Sequence, residues 1–216
     1  MDDNIKKRNT ELIKETIKNL QKRNFEAFYC ETKTDALNEV VKMITKEQTV
    51  SWGGSITLDE IGIKEYLENN SYKTINRDSA KTKEEKEKAV IESLGCDVFL
   101  MSANALCSDG HIVNIDGKGN RLAALCFGPK KVIMVIGVNK IVKTLDDAIT
   151  RARNVAAPIN AQRISKLQDM KTPCLNTGSC CHCKLESSIC SQILVTRLSR
   201  PKYRICTIIV NEDLGY

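Results

Sequence analysis

Lys131-Val132-Ile133-Met134-Val135-Ile136 runs straight into Gly137-Val138-Asn139-Lys140. The first six residues are apolar after Lys131 and rich in β-branched side chains. An unbroken apolar run of this length, without polar alternation, fits a strand buried on both faces at the centre of a parallel sheet. Gly137 to Lys140 is then the turn at its carboxyl end. In open α/β sheets ligands bind outside those ends. Asn139 and Lys140 are therefore candidates to meet an anionic ligand, against the ordinary alternative of a solvated lysine.

Working back toward the N-terminus, strands and helices alternate. Residues 4 to 23 carry Ile5, Leu12, Ile13, Ile17 and Leu20 at helical spacing. Phe25 to Cys30 reads as a strand. Asp35 to Thr45 reads as a helix capped by Thr34, with Leu37, Val40, Val41 and Ile44 inward. Thr49 to Trp52 is a strand ending at Gly53-Gly54-Ser55, and Thr57-Leu58-Asp59-Glu60 has capping-box form. A strand, a glycine turn and a helix start can hold an anion on the amides of Gly54 and Ser55; a plain tight turn is the competing reading. Tyr72 to Ile75 is a weak strand, Thr82 to Leu94 a charged helix and Asp97 to Met101 a buried strand. Ala105 to Ser108 and Ile112 to Ile115 flank Asp109-Gly110, a hairpin signal.

The segment from Asn114 to Arg121 is dense in turn formers. As a ligand loop, Asp116 accepts hydrogen bonds, Asn120 offers an amide and Arg121 clamps a carboxylate or phosphate. As an ordinary turn, Asp116 and Arg121 form an internal ion pair before a helix from Asn120 to Cys126. On the C-terminal side of the central strand, Leu145 to Val155 is a helix. Pro158 interrupts it and starts another that runs to about Gln168. Ser191 to Leu198 and Arg204 to Val210 suggest a hairpin joining the sheet. The alternation argues for one α/β domain over residues 1–216 with a largely parallel sheet. Residues 173–191 form a cysteine-rich knuckle and residues 192–216 a C-terminal strand pair.

Cys174, Cys180, Cys183 and Cys190 stand in the pattern C-x5-C-x2-C-x6-C within a chain of ten cysteines. The Cys180–Cys183 pair lets two thiolates converge on one ion, and Cys174 and Cys190 can close the shell. Four thiolates suit an iron–sulfur cluster or zinc; a metal-free cysteine loop is the third possibility. Cys181 should point away from the others, and His182 is a substitute ligand or a surface residue. Cys107 and Cys126, in apolar surroundings, read as core residues.

The net charge of +6 is modest, and basic residues are interleaved with acidic ones, as from Lys81 to Lys88. That pattern describes solvated helix faces and argues against a nucleic-acid track; the few aromatics give no stacking platform. No apolar run reaches membrane-span length. Met1-Asp2-Asp3-Asn4 lacks the apolar core of a signal peptide. A cytoplasmic protein with reduced cysteines is expected. The two histidines, His111 and His182, supply no catalytic dyad, and His111 should lie at the surface. Asp116 and Glu60 are the available general bases.

Three stretches together resemble the LUD (lactate-utilisation) domain family. They are Trp52 to Gly62, Asn104 to Ala124, and Phe127-Gly128-Pro129 through Val142. The cysteine cluster resembles the C-terminal segment of a subset of that family. The resemblance implies a Rossmann-like α/β fold with helices on both faces of the sheet. That fold is related to the sugar-phosphate isomerase and coenzyme A transferase superfamily. It also implies a component of organic-acid (lactate-type) oxidation working with iron–sulfur partner subunits on a small anionic organic acid. The lactate-associated LUD-only subunits lack the cysteines, a departure from that pathway. The alternative is a binding module for a small anionic metabolite or acyl thioester, with a structural zinc or redox-sensing cysteines. No glutamate sits in the context expected of a coenzyme A transferase nucleophile.

Overall fold

The structure, a computed structural model, describes residues 2–167 and 169–216. In chain order its elements begin with α1 (Asp3–Lys22), β1 (Glu26–Cys30), α2 (Lys33–Lys42), β2 (Thr49–Trp52), α3 (Ile56–Glu60), α4 (Ile63–Asn69) and β3 (Lys73–Ile75). They continue with α5 (Lys83–Ser93), β4 (Val98–Met101), β5 (Ala105–Cys107), β6 (Ile112–Asp116), α6 (Asn120–Cys126) and β7 (Lys131–Gly137). The last are β8 (Ile141–Val142), α7 (Leu145–Arg151), α8 (Ala157–Ser165), α9 (Cys174–Thr177), β9 (Gln192–Thr196) and β10 (Ile205–Val210). The helix expected to reach Gln168 ends at Ser165; Gln168 itself lies outside the described residues.

The main sheet has the order β1-β10-β7-β4-β2-β3, and every pairing in it is parallel. An all-parallel sheet must be covered on both faces, and the alternation along β7 shows how. Val132, Met134 and Ile136 pack with Ile13 and Leu20 of α1 and with Ala124 and Leu125 of α6. Ile133 and Val135 pack on the other face with Ala36 and Val40 of α2, Leu58 of α3, and Ile63 and Leu67 of α4. The α/β Rossmann-like architecture is therefore as expected.

Three local expectations are corrected. Ser191–Leu198 and Arg204–Val210 do not form a hairpin: β9 pairs antiparallel with β6 in a second sheet, order β8-β5-β6-β9. β10 instead enters the main sheet between β1 and β7. All six of its residues are buried, which a place between two parallel strands requires. Thr32, not Thr34, caps α2 in a reciprocal box with Asp35. Pro158 does not break its helix. α7 and α8 join through a π-helical turn, Ala152–Ala156, in which the Ala157 amide donates to the Ala152 carbonyl. The extra residue per turn accommodates Pro158, which brings no N–H of its own.

Candidate functional site

The carboxyl ends of all six parallel strands lie on one side. Chain order passes from β2 outward to β3 and then back to β4 on the opposite flank of β2. The crevice between β2 and β4 is thus the topological switch point, where α/β sheets bind ligands. Gly53-Gly54-Ser55 follows β2 there, Arg77 follows β3, Ser102 follows β4, and Lys140 follows β7.

Arginines crowd the glycine turn. A methyl group on Gly53 would lie 2.6 Å from Arg121 Cδ, and one on Gly54 would lie 2.9 Å from Arg77 Nη2 and 4.0 Å from Arg163 Nη2. Gly53 leaves the room that the Arg121 stem occupies, while a methyl at Gly54 would press only on the mobile end of Arg77 and reach Arg163 in ordinary contact. Arg121 donates from Nη2 to the Ile115 carbonyl at 2.6 Å, and its Nε stands 3.5 Å from Asp116. Burial, then the charges of Arg77 and Arg163, lower its pKa, while Asp116 opposes them. Arg163 holds Asn160 through Nε and Nη2. Arg77 Nε is buried without a hydrogen-bond partner; Asp78 Oδ1 stands 3.6 Å off. The Tyr216 hydroxyl, also buried and without a hydrogen bond, lies within the electrostatic reach of Arg163.

Beneath this cluster lies Lys140, only 2 % exposed. It is not solvated, as a lone lysine after a strand ordinarily is. Its Nζ donates to Thr57 Oγ1 at 2.9 Å and to Ser102 Oγ at 3.0 Å. Burial, then the neighbouring charges of Arg151 and, more weakly, Arg121, lower the amine to about 7 against the pull of Glu60. Thr57 is accordingly a wall of the site and not the cap of α3. Ser55 is the cap, accepting from the Leu58 amide. α3 has only five residues, and the Gly53 amide is used by the Leu100 carbonyl. The positive charge here comes from guanidinium groups more than from a helix start.

The segment 212–216 is strapped over the amine. Asn139 accepts from the Leu214 amide at 3.1 Å and donates to the Gly215 carbonyl at 3.2 Å. Glu60 accepts from the Gly215 amide at 2.6 Å. A methyl group on Gly215 would lie 3.2 Å from Lys140 Nζ, so the backbone there rests against the amine. Asn139 thus ties down the strap. Asp116 is occupied by Arg121, accepting from its backbone amide at 3.0 Å and forming an ion pair with its Nε. Asn120 opens α6, partly buried beside this pair.

The cysteine knuckle packs against the same turn. A methyl group on Gly117 would lie 3.1 Å from Ile189 Cα. All ten cysteines are free thiols. Burial pushes the Cys190 thiol up to about 11, helped by the adjacent Cys180, Cys174 and Cys183. The four spaced cysteines thus share one neighbourhood. Cys181 is exposed and bonded to Thr177, away from them. Arg153 donates to Cys180 Sγ at 3.4 Å and meets His182 Nδ1 at 2.6 Å. Among the described residues no three His, Cys, Asp or Glu side chains are grouped closely enough to hold a metal ion as they stand. Elsewhere, Cys107 is buried as expected, but Cys126 is exposed. His111 is tucked against Asp109 at 2.8 Å and is not a free surface residue.

Arg77, Ser102 and Arg163 were not singled out by the sequence. Arg77 and Ser102 each follow a strand at its carboxyl end, the same signal that pointed to Lys140. Arg163, mid-helix, carried no local signal.

The LUD domain family profile matches residues 13–210. The chain belongs to the LUD domain family. Across solved structures, this LUD domain is similar to the crystal structure of a DUF162 family protein from Deinococcus radiodurans. The two share 11% identity and a TM-score of 0.53, over 94% of this chain and 97% of that one. At that identity the likeness concerns the fold. Among curated proteins, no match to this chain was found. None of the described helices is long and apolar enough to cross a membrane.

Proposed function

We propose that this LUD domain binds a small organic anion, a carboxylic acid of the lactate type, at the β2–β4 switch point and serves in organic-acid oxidation. One observation carries the reading: Arg77, Arg121 and Arg163 converge on the Gly53-Gly54 turn, and Arg77 keeps a buried Nε that makes no hydrogen bond. Guanidinium forks match carboxylate and phosphate geometry, and a cationic crevice at a switch point is what a small anion requires.

The test is thermal stabilisation by a panel of hydroxy and oxo acids, sugar phosphates and coenzyme A esters. A ligand at a hundred times its Kd stabilises by about 2.7 kcal/mol, or about 5–10 °C for a chain of this size. Arg77 gives up no hydrogen bond, so Arg77→Ala should fold normally. It should weaken binding about tenfold or more, the loss of one charge-assisted contact. No shift across the panel would remove the reading.

The same reading gives Cys174, Cys180, Cys183 and Cys190 a thiolate-ligated centre. What supports it is donor chemistry: three soft thiols lie near that of Cys190, with Arg153 beside Cys180 to offset the charge of bound thiolates, and the four would have to draw together to ligate an ion. An iron–sulfur cluster there would supply one-electron chemistry, whereas zinc would staple the knuckle. Anaerobically purified protein should carry iron and acid-labile sulfide, both lost when Cys180 and Cys183 become serine. Zinc without sulfide would make the knuckle structural, and neither metal would leave free thiols as its working form.

A further inference from the structure

Resting on the anion site just proposed, we infer that Lys140 is its reactive amine and forms an imine with the carbonyl carbon of an anionic oxo acid. A buried lysine is ordinarily held by a carboxylate. Among the described residues none pairs with Lys140; its nitrogen meets only the hydroxyls of Thr57 and Ser102. In the free amine, two N–H bonds point to those two oxygens and the lone pair is left for an electrophile. Burial and the cationic Arg151 and Arg121 outweigh the opposing carboxylate of Glu60, a balance that favours the unprotonated, nucleophilic amine. Arg151 is itself held in place, donating to the Asn139 and Asn104 carbonyls. An acid whose anionic group sits on the guanidinium cluster would carry its carbonyl down toward the amine once the 212–216 strap shifts.

The step balances without an outside reagent. The nitrogen lone pair attacks the carbonyl carbon, and the C–O π pair becomes an alkoxide that takes the first of two protons from the nitrogen, the second leaving at the dehydration step. The resulting carbinolamine then loses water as the C–N double bond forms. The proton leaving nitrogen passes to the departing hydroxyl through Ser102 Oγ, and no atom changes its partner otherwise.

The experiment is reductive trapping on the full chain. Pyruvate, as the smallest oxo acid, is added with cyanoborohydride at pH 7, and the modified lysines are mapped by mass spectrometry. Lys140 should take the adduct more than about a hundredfold faster than an exposed lysine, whose amine is almost wholly protonated at that pH. Acetone, which lacks the anionic group, should label it far less. Mapping the unaltered protein needs no variant to fold. A Glu60→Ala protein, with one tie of the strap removed, serves as the accessible form. If pyruvate stabilises the protein yet Lys140 stays unmodified in both forms, the amine is not a nucleophile and the anion site stands alone. If there is neither stabilisation nor adduct, both readings fall. Labelling confined to exposed lysines also overturns the imine.

Discussion

Lys140→Met is expected to be more stable than the parent protein at pH 7, and the order of the two should reverse toward pH 11. The sign follows from linkage. A lysine whose folded pKa lies below its unfolded one binds fewer protons in the folded state, so stability rises with pH between the two values. Here burial, then Arg151 and Arg121, bring the folded value to about 7 from an ordinary 10.5. Below pH 7 the folded protein must hold a buried ammonium at a cost whose ceiling is on the order of 5 kcal/mol. Methionine fills the same space without that cost. It leaves Thr57 and Ser102 each short of one partner, about 1 kcal/mol apiece. The penalty outweighs the loss, so removal should stabilise. Urea unfolding of both proteins from pH 6 to pH 11 would measure it. A parent that is the more stable at pH 7 would mean the amine is held as a structural cation. A protein that retains a destabilising group is using it, the usual exchange of stability for activity.

Gly137→Ala should both destabilise the protein and open the site. Gly137 has φ −71° and ψ 150°, which any residue adopts. The cost therefore lies in contacts. A methyl group there would stand 2.5 Å from the Leu214 nitrogen, 2.5 Å from Asn139 Oδ1 and 2.8 Å from the Glu212 carbonyl. Two of those atoms are backbone of the strap and the third is its tie, so the strap must move. Overpacking of this kind costs about 1–3 kcal/mol, a fall in Tm of roughly 3–10 °C. If ~2 kcal/mol of that falls on the local opening, labelling of an amine that reacts only when uncovered speeds up about thirtyfold. Reductive methylation with formaldehyde, followed at Lys140, reads it directly. A destabilised variant with unchanged labelling would show that something other than the strap shields the amine.

Most of the main sheet was legible because its signals are local. β7 is apolar throughout, and the Trp52-Gly53-Gly54 turn marks the end of β2 without help from the rest of the chain. In the second sheet the β5–β6 hairpin around Asp109-Gly110 was legible, but β8 and β9 were not, since they are short and their pairing depends on partners far apart in sequence. β9 and β10 both carry short apolar runs, Ile193 to Val195 and Ile208 to Val210, so the sequence alone does not separate the strand that enters the main sheet from the one that does not. At the site, the glycine turn and the Asp116–Arg121 pair were visible. The state of Lys140 was not, because Leu214 and Gly215 cover it from more than seventy residues away. A burial made by a distant segment leaves no trace in the residues beside the lysine.

The π turn between α7 and α8 acts on phase. In a regular helix each residue advances by about 100°, so Arg151 and Arg163 would face directions about 120° apart. One surplus residue taken up in Ala152–Ala156 cuts that angle to about 20°. A single inserted residue thus brings the arginine beside the amine and the arginine beside the glycine turn onto one meridian. The bearing of two distant cations, with no change in either, is the kind of innovation that one codon can introduce.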